Sequence, residues 1–232
     1  MTEARQANRS LKISEEKFQG IVASVPGMVY QFAMHDSGKI EWSFVSEGCQ
    51  EIFESSSEAL REDELWLLGR IHPADRPGFE RSVATAAESM SPWRWEGRHQ
   101  RPSGEIGWIQ GSSLPQRLDN QSTQWNGIVI DVTARRKAER ERDRFFSTSL
   151  DMLCIAGMDG HFRRVNPAFT EILGFTEAEM QEKTFLEWTH VEDRAATLAV
   201  VDELAHGQQI SGFENRYPTK DGNWKWLEWR KE

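Results

Sequence analysis

Two cysteines, six histidines and ten tryptophans are the residues of this chain that could carry redox, metal or ligand chemistry. Cys49 and Cys154 are too few for a disulfide framework, so a reducing compartment is the simpler setting and small buried hydrophobes the simpler role. No cluster of His, Cys, Asp and Glu has the spacing of a metal site. There is also no nucleophile with a paired base and no glycine-rich phosphate loop, so we expect no catalytic residues in this segment.

Aromatic side chains give the stronger indication of binding. Trp93 and Trp95 lie two positions apart and would share one face of a strand, while Tyr30 and Trp42 lie on the two strands of a predicted hairpin. A cavity lined by Tyr30, Trp42, Trp95 and Trp108 could hold a small apolar or aromatic molecule. Alternatively, these rings fill a core or cover a dimer surface. Strand alternation prevents Trp93, Trp95 and Trp108 from all facing one cavity.

Charge and hydropathy exclude several classes of function. With 37 acidic and 28 basic residues the chain has a net charge of −9, which argues against nucleic acid or an anionic membrane surface as the main ligand. No apolar run approaches the ~18 residues of a membrane span, and no signal peptide is visible. We therefore expect a cytoplasmic location and no membrane segment in this part of the protein.

The first element that the hydrophobic pattern predicts is a helix over residues 3–21. Small and apolar residues are spaced alternately by three and four positions, as in a heptad seam. The seam consists of Ala4, Ala7, Leu11, Ser14, Phe18 and Ile21. This pattern fits either one amphipathic helix packed on the domain that follows or a dimeric coiled coil.

The pattern of the next hundred residues predicts an α+β unit. Two strand-forming segments make a hairpin over 26–46, and short helical pieces follow over 47–70. A longer helix, which Asp75 is placed to cap, runs to about residue 90. Three further strands over 92–131 complete an antiparallel sheet with its helices gathered on one face.

A polar helical run over 133–148 comes next, and the pattern then begins again. Thr133 can cap this helix, which has almost no apolar face and so suits a connection between folded units. The His-Pro-Ala-Asp-Arg segment at 72–76 recurs 118 positions later as His-Val-Glu-Asp-Arg at 190–194. The Arg, Gly and Trp of the following hairpin recur at the same offset. The chain is therefore a tandem repeat of a helix and an α+β unit.

These segments resemble those of PAS domains, and the resemblance covers nearly the whole chain. It rests on Asn-Pro-Ala-Phe-Thr-Glu-Ile-Leu-Gly-Phe at 166–175, on the two His-x-x-Asp-Arg segments, on the hairpins at 101–111 and 219–229, and above all on Asp-Val-Thr-Ala-Arg-Arg-Lys at 131–137. The first unit departs at 46–49, where Ser-Glu-Gly-Cys replaces the family's Asn-x-x-Phe. The resemblance implies, in each unit, a five-stranded antiparallel sheet of order 2-1-5-4-3 with short helices on one face.

We accordingly divide the chain into an N-terminal helix (1–21), a first PAS-like domain (22–132), a connecting helix (133–148) and a second PAS-like domain (149–232). Residue 232 corresponds to residue 114, so the second domain lacks its last strand, which is central in the implied order. We expect that strand to come from another molecule or from residues beyond 232, or the second sheet to be disordered.

The resemblance does not imply one particular cofactor. Flavin photoreceptors of the light-oxygen-voltage class need a cysteine on the short helix before the long one, where this chain has none, so flavin–cysteinyl chemistry is disfavoured. Haem needs a histidine that faces the cavity. His206 is the one position worth testing, although a helix C-terminus commonly carries histidine. His72 and His190 are interpreted as structural. The cofactor is unknown, and no cofactor is the expectation that we favour.

The resemblance implies a sensory and signal-relay region of a larger protein, such as a sensor histidine kinase of a two-component system, with a kinase or cyclase domain downstream. In this hypothesis Asp131 and Thr133 couple a ligand- or partner-induced change in the first sheet to the connecting helix. The N-terminal and connecting helices would form a homodimer. A helix cap is the simpler role for Asp131 and Thr133. The alternatives are a ligand-free assembly module and a haem or small-molecule sensor.

Overall fold

The computed structural model describes residues 2–63, 65–118 and 122–231. The side chains of residues 2–8, 10, 11 and 231 lie outside this description. The chain divides into two compact units, 1–137 and 138–232. The first unit contains α1 (Thr2–Ser24), β1 (Met28–His35), β2 (Ile40–Val45), α2 (Cys49–Phe53), α3 (Ser57–Glu62), α4 (Trp66–Arg70), α5 (Arg76–Ser89), β3 (Trp93–Gln100), β4 (Ile106–Arg117) and β5 (Ser122–Asp131).

Helix α6 (Thr133–Thr148) begins in the first unit and ends in the second. The second unit continues with β6 (Cys154–Ala156), β7 (Phe162–Val165), α7 (Pro167–Leu173), α8 (Glu177–Gln181), α9 (Phe185–Trp188), a 3₁₀ turn (Val191–Asp193), α10 (Arg194–Ala205), β8 (Ile210–Pro218) and β9 (Trp224–Lys231). No helix in the described ranges is long and apolar enough to cross a membrane.

The first unit is built on one antiparallel sheet. Its strand order is β2-β1-β5-β4-β3, which confirms the order implied by the resemblance to PAS domains. The central strand β5 pairs with β1, where Trp125 lies opposite Phe32, and with β4, where Val129 lies opposite Gly111. Trp125 and Val129 alternate with more exposed neighbours and are 1% and 3% exposed, so one face of the sheet holds the core.

Asp75 does not cap α5 as the sequence predicts. Its carboxylate instead accepts hydrogen bonds of 2.6–2.9 Å from the backbone N–H and the guanidinium of Arg98 on β3. Asp193 and Arg216 repeat this arrangement in the second unit at 2.7–2.9 Å. Hydrogen bonds from the arginines hold the pKa of both carboxyl groups at about 2. In each unit, a charge-assisted bidentate pair thus ties the start of the long helix to the sheet.

The second unit forms two separate two-stranded sheets within its described residues, β6 with β7 and β8 with β9. Cys154 lies opposite Val165 in one, and Phe213 lies opposite Trp229 in the other. The corresponding pairs of the first unit, β1 with β2 and β3 with β4, are joined through β5. Both hairpins are formed within the described residues, but they do not join into one sheet. The source of a strand between β6 and β9 stays a prediction.

Helix α1 packs against the first hairpin. The ring of Phe18 meets that of Phe44 on β2 edge-on, at a centroid distance of 5.4 Å. Phe18 and Ile21 nevertheless remain 49% and 65% exposed. The seam positions Ala4, Ala7 and Leu11 lie outside the residues whose side chains are described. Packing on the adjacent domain is therefore observed, and the coiled coil stays a prediction.

Candidate ligand cavity and linker contacts

The inner face of the first sheet is filled by its own aromatic side chains. Tyr30 and Trp42 are 4% and 8% exposed, and the Trp42 ring lies 5.0 Å from that of Phe32. Trp95 meets Phe79 of α5 edge to face at 4.9 Å. The structure thus brings the sequence candidates Tyr30, Trp42 and Trp95 into one core, where they occupy the space between sheet and helices.

Three glycines of the same face lie directly beneath aromatic rings. The pairs are Trp95 over Gly97, Trp93 over Gly111 and Tyr30 over Gly127. A Cβ atom at Gly111, for example, would come within 2.7 Å of the Trp93 ring, closer than real Cβ atoms approach their neighbours. The absence of side chains at these positions therefore lets the large rings approach the backbone of the sheet in the first core.

Two candidates from the sequence do not face a cavity. Trp108 lies on the opposite face of β4 from its buried neighbour Ile109, and the guanidinium of Arg136 stacks on its ring at 5.0 Å. The side chain of His206 is 71% exposed at the end of α10, and its Nδ1 lies 2.8 Å from the carbonyl oxygen of Asp202. Both placements are corrected: alternation turns Trp108 outward, and the helix terminus keeps His206 in solvent.

The second domain contains an open cavity of about 380 Å³. It is bounded by α10 and by residues of β6, β8 and β9. Its apolar wall includes Phe185, Val200, Val201, Leu204, Ile210 and Phe213. Strands β6 and β9 each contribute to this wall, although they do not pair with one another. A cavity of this size and lining is typical of a site for a small molecule.

Side-chain replacements at matched positions contribute to this cavity, in addition to the lack of a strand between β6 and β9 among the described residues. Positions that carry rings in the first core carry smaller side chains in the second. The replacements are Tyr30 by Cys154, Phe32 by Ala156, Phe79 by Thr197 and Trp93 by Ile210. At two positions the first domain has a glycine where the second domain has a larger side chain: Gly97 corresponds to Asn215, and Gly111 corresponds to Trp229. One fold therefore encloses rings in one copy and open space in the other.

A chain of hydrogen bonds forms the polar end of the cavity. Trp229 donates from Nε1 to Oδ1 of Asn215 at 2.7 Å, and Asn215 donates from Nδ2 to Oγ1 of Thr197 at 3.1 Å. Asn215 is 1% exposed, so the network fixes the orientation of a buried amide. Burial raises the pKa of the nearby Cys154 thiol to about 11, which keeps it uncharged at neutral pH.

The base of α6 is tied to the first sheet through the predicted relay residues. Asp131 accepts a hydrogen bond of 2.7 Å from the backbone N–H of Thr133 and pairs with Arg101 at 2.8 Å. The Oγ1 atom of Thr133 accepts from the backbone N–H of Trp108 on β4 at 2.8 Å. Burial raises the pKa of Asp131, but the bonds from Thr133 and the charge of Arg101 outweigh it, so that pKa is lowered. The end of β5, β4 and the first turn of α6 are thus connected.

Two arginines extend this attachment along α6. Arg135 pairs with Glu96 on β3 at 2.9 Å, and Arg136 pairs with the same carboxylate while stacking on Trp108. A guanidinium over an indole is attracted by the negative face of the ring. The outward tryptophan is therefore a contact for the linker rather than for a ligand.

The second half of α6 is held by β7. Arg164 pairs with Asp143 at 3.0 Å, and its guanidinium lies 4.4 Å from the ring centroid of Phe146. Asn166 secures the loop that follows the helix: it accepts from the N–H of Leu153 at 2.9 Å and donates to the carbonyl of Asp151 at 2.8 Å. Arg164 on β7 lies opposite Ile155 on β6. The residues before and after Ile155 in the sequence, Cys154 and Ala156, line the cavity.

His99 is a buried group that sequence reasoning missed. It is 0% exposed, packs edge-on against Phe53 at 5.3 Å, and neither ring nitrogen has a hydrogen-bond partner among the described residues. Burial and the charge of Arg101 lower its pKa to about 4. The residue 118 positions later, in the second repeat, is Tyr217. A position that carries histidine in one repeat and tyrosine in the other was the sequence signal that could have identified His99. In the described ranges, no group of His, Cys, Asp and Glu could hold a metal ion.

Comparison with known proteins gives the same family for both units. A family model described as the PAS fold matches residues 43–129 and 162–232. The uncharacterized protein y4lL of Sinorhizobium fredii is 28% identical over 139 residues, which are 60% of this chain and 16% of that protein. A protein of Escherichia coli named "Probable diguanylate cyclase DgcE" is 25% identical over 104 residues, which are 43% of this chain and 9% of that protein. The chain thus matches only a small part of these relatives.

One solved structure is also similar to part of this chain. The sensory box histidine kinase/response regulator from Burkholderia thailandensis is 20% identical, with a TM-score of 0.43. The match covers 55% of this chain and 92% of that one.

Proposed function

This chain belongs to the PAS-fold family, and we propose that its two domains form the sensory and relay region of a larger signal-transduction protein. PAS domains are sensory modules of signalling proteins and not catalytic ones. An output domain in the same protein, a histidine kinase or a cyclase, would act on the signal. The similarity to a relative named as a diguanylate cyclase supports a cyclase no less than a kinase.

The attachment of α6 is the observation that carries this proposal. At its base, Thr133 and Arg136 bind Trp108 of the first sheet, and in its second half Asp143 binds Arg164 of the second domain. None of the residues of α6 is buried, so the helix is positioned by these contacts and not by a core of its own. A displacement of β5 or β7 would therefore act directly on the helix.

The cavity supports different roles for the two domains. We propose that the second domain binds the stimulus and that the first domain, whose core is filled by rings, acts as the assembly and relay unit. The ligand-free assembly module thus describes the first domain better than the whole chain. A ligand that moves β6 would move β7 with it and so reach Arg164.

The relay is tested by Asp131→Ala in the full-length protein. We expect the output, measured as autophosphorylation or as cyclic dinucleotide synthesis, to change by roughly 5- to 150-fold, the range of a coupling free energy of ~1–3 kcal/mol. Glu105→Gln is the matched control, because Glu105 pairs with the same Arg101 at 3.1 Å without contacting α6. Unchanged output from a folded Asp131→Ala protein would leave Asp131 as a helix cap only.

We further propose that the protein is cytoplasmic and forms a homodimer through α1 and α6. The exposed Phe18 and Ile21 of α1 supply apolar surface for such a contact. Native mass spectrometry of the 232-residue chain would give the subunit count and any added ligand mass together. A bare monomer would contradict the dimer and leave α6 as a linker within one molecule.

A further inference from the structure

We infer that the cavity of the second domain takes a small uncharged molecule, largely apolar, with one group that hydrogen-bonds to Asn215 or Thr197. This inference rests on the proposed sensory role of that domain. It adds the chemical class of the stimulus, which follows from the size, the charge and the polar end of the cavity.

The volume limits the ligand to a small molecule. A cavity of about 380 Å³ lies near the lower end of the roughly 300–1,000 Å³ that small-molecule sites occupy. A haem or a flavin nucleotide is considerably larger, whereas a one- to three-ring aromatic compound or a short-chain lipid fragment matches the space.

Among the described residues, the lining offers no charge that is placed to neutralise an ionic ligand. Its ionisable side chains are Cys154, Tyr217 and Arg230. Burial raises the pKa of the Cys154 thiol to about 11 and raises that of the Tyr217 hydroxyl, so both are neutral. Arg230 is 71% exposed and paired with Glu228 at 2.8 Å, which places its charge in solvent. A carboxylate or an ammonium in this cavity would lose its hydration without gaining a partner, at a cost of several kcal/mol.

The polar end supplies one directional contact. The amide of Asn215 has two N–H donors and an oxygen with two lone pairs. It uses one donor toward Thr197 and one lone pair toward Trp229. A donor and an acceptor site therefore remain on a side chain that lines the cavity and cannot rotate away. A hydroxyl or carbonyl group of the ligand is the natural complement.

The repeat itself supplies the variants for a test. Ala156→Phe and Thr197→Phe each restore the ring that the first domain carries at that position. Ile155→Phe is the matched control, because Ile155 is 53% exposed, lies on the same strand as Ala156 and does not line the cavity. The probe is 1-aminoanthracene, a neutral three-ring amine whose fluorescence rises in apolar surroundings, titrated into the 232-residue chain.

We expect the wild-type chain and Ile155→Phe to bind the probe and the two filled variants to bind it at least ten-fold more weakly. Circular dichroism and thermal unfolding would show that each variant is folded. If the probe does not bind, or if folded filled variants bind as the wild type does, the cavity is not a ligand site and the sensory role of the second domain fails.

The ligand class has its own readout. At pH 7, 2-naphthol is neutral and 2-naphthoate is an anion of nearly the same shape, so the two are a matched pair of competitors. We expect 2-naphthol to displace the probe at concentrations at least ten-fold lower than 2-naphthoate. If 2-naphthol and 2-naphthoate displace the probe from the wild type equally well, the inference of an uncharged ligand is refuted. If Ala156→Phe still binds the probe more weakly than the wild type, the sensory role of the second domain remains.

Discussion

Replacing His99 with leucine should remove most of the loss of first-domain stability that occurs between pH 7 and pH 5. In the folded chain the imidazole is buried without a hydrogen-bond partner among the described residues, and burial together with the charge of Arg101 lowers its pKa to about 4. In the unfolded chain the pKa returns to about 6.5. Between these two values the unfolded state binds the extra proton, so the free energy of unfolding falls as the pH falls.

The two pKa values set the size of the effect. The contribution of the neutral His99 is fully present above pH 6.5 and is lost progressively as the pH falls toward 4. Linkage gives a loss of about 2 kcal/mol between pH 7 and pH 5, and about 3 kcal/mol over the whole interval. The negative charges of Asp131, Glu105 and Glu54 raise the pKa of His99, but burial and the charge of Arg101 outweigh them.

Urea unfolding at a series of pH values, followed by tryptophan fluorescence, measures this directly. The wild-type chain and His99→Leu share the second domain and every other titrating group, so the difference between their unfolding free energies isolates His99. His206→Leu is the control, because that histidine is 71% exposed. A difference that stays constant between pH 7 and pH 5 would refute the assignment of His99 as a buried neutral group.

Three further predictions concern single contacts. Asn166→Ala should lower the free energy of unfolding of the second domain by about 1–3 kcal/mol in urea titrations, because the partly buried N–H of Leu153 and carbonyl of Asp151 lose their hydrogen-bond partner. Gly111→Ala should destabilise the first domain by about 1–3 kcal/mol, and adding Trp93→Leu should recover part of that loss in a double-mutant cycle. Asp193→Asn should reduce the loss of second-domain stability that the wild type shows in acid titrations, because the lowered pKa of Asp193 makes its bond to Arg216 stabilising above pH 4 and lost as the pH falls through about 2. Glu179, whose pKa is also lowered to about 2, accounts for part of the loss that remains.

The fold was largely predictable because its strands, turns and repeat leave local signals. The hairpin turns, the polar helix after Thr133 and the offset of 118 all follow from residue types in sequence order. Asp75 shows the limit of such reasoning. Its position fits a helix cap, but Arg98, 23 residues away, offers its carboxylate a bidentate partner that no local pattern reveals.

The cavity was harder to predict than the fold because it depends on how much interior space the side chains leave unfilled. Tyr30, Trp42 and Trp95 lie in one core, yet a count of aromatic residues cannot distinguish a ring that lines a space from a ring that fills it. The cavity is found in the other repeat, where Cys154 and Ala156 replace rings. That difference becomes visible only when the strand registers of the two domains are compared. Such a comparison requires the strand pairing of both hairpins to be known.

The rings that lie over glycines also determine the order in which one domain could evolve into the other. A side chain added at Gly111 would clash with the Trp93 ring, so replacing the glycine costs less once the ring has become smaller. In the second domain both changes have occurred, with Ile210 and Trp229 at these positions. The mutations are therefore epistatic: losing a ring first opens a void that the fold can survive, whereas gaining a side chain first creates a clash.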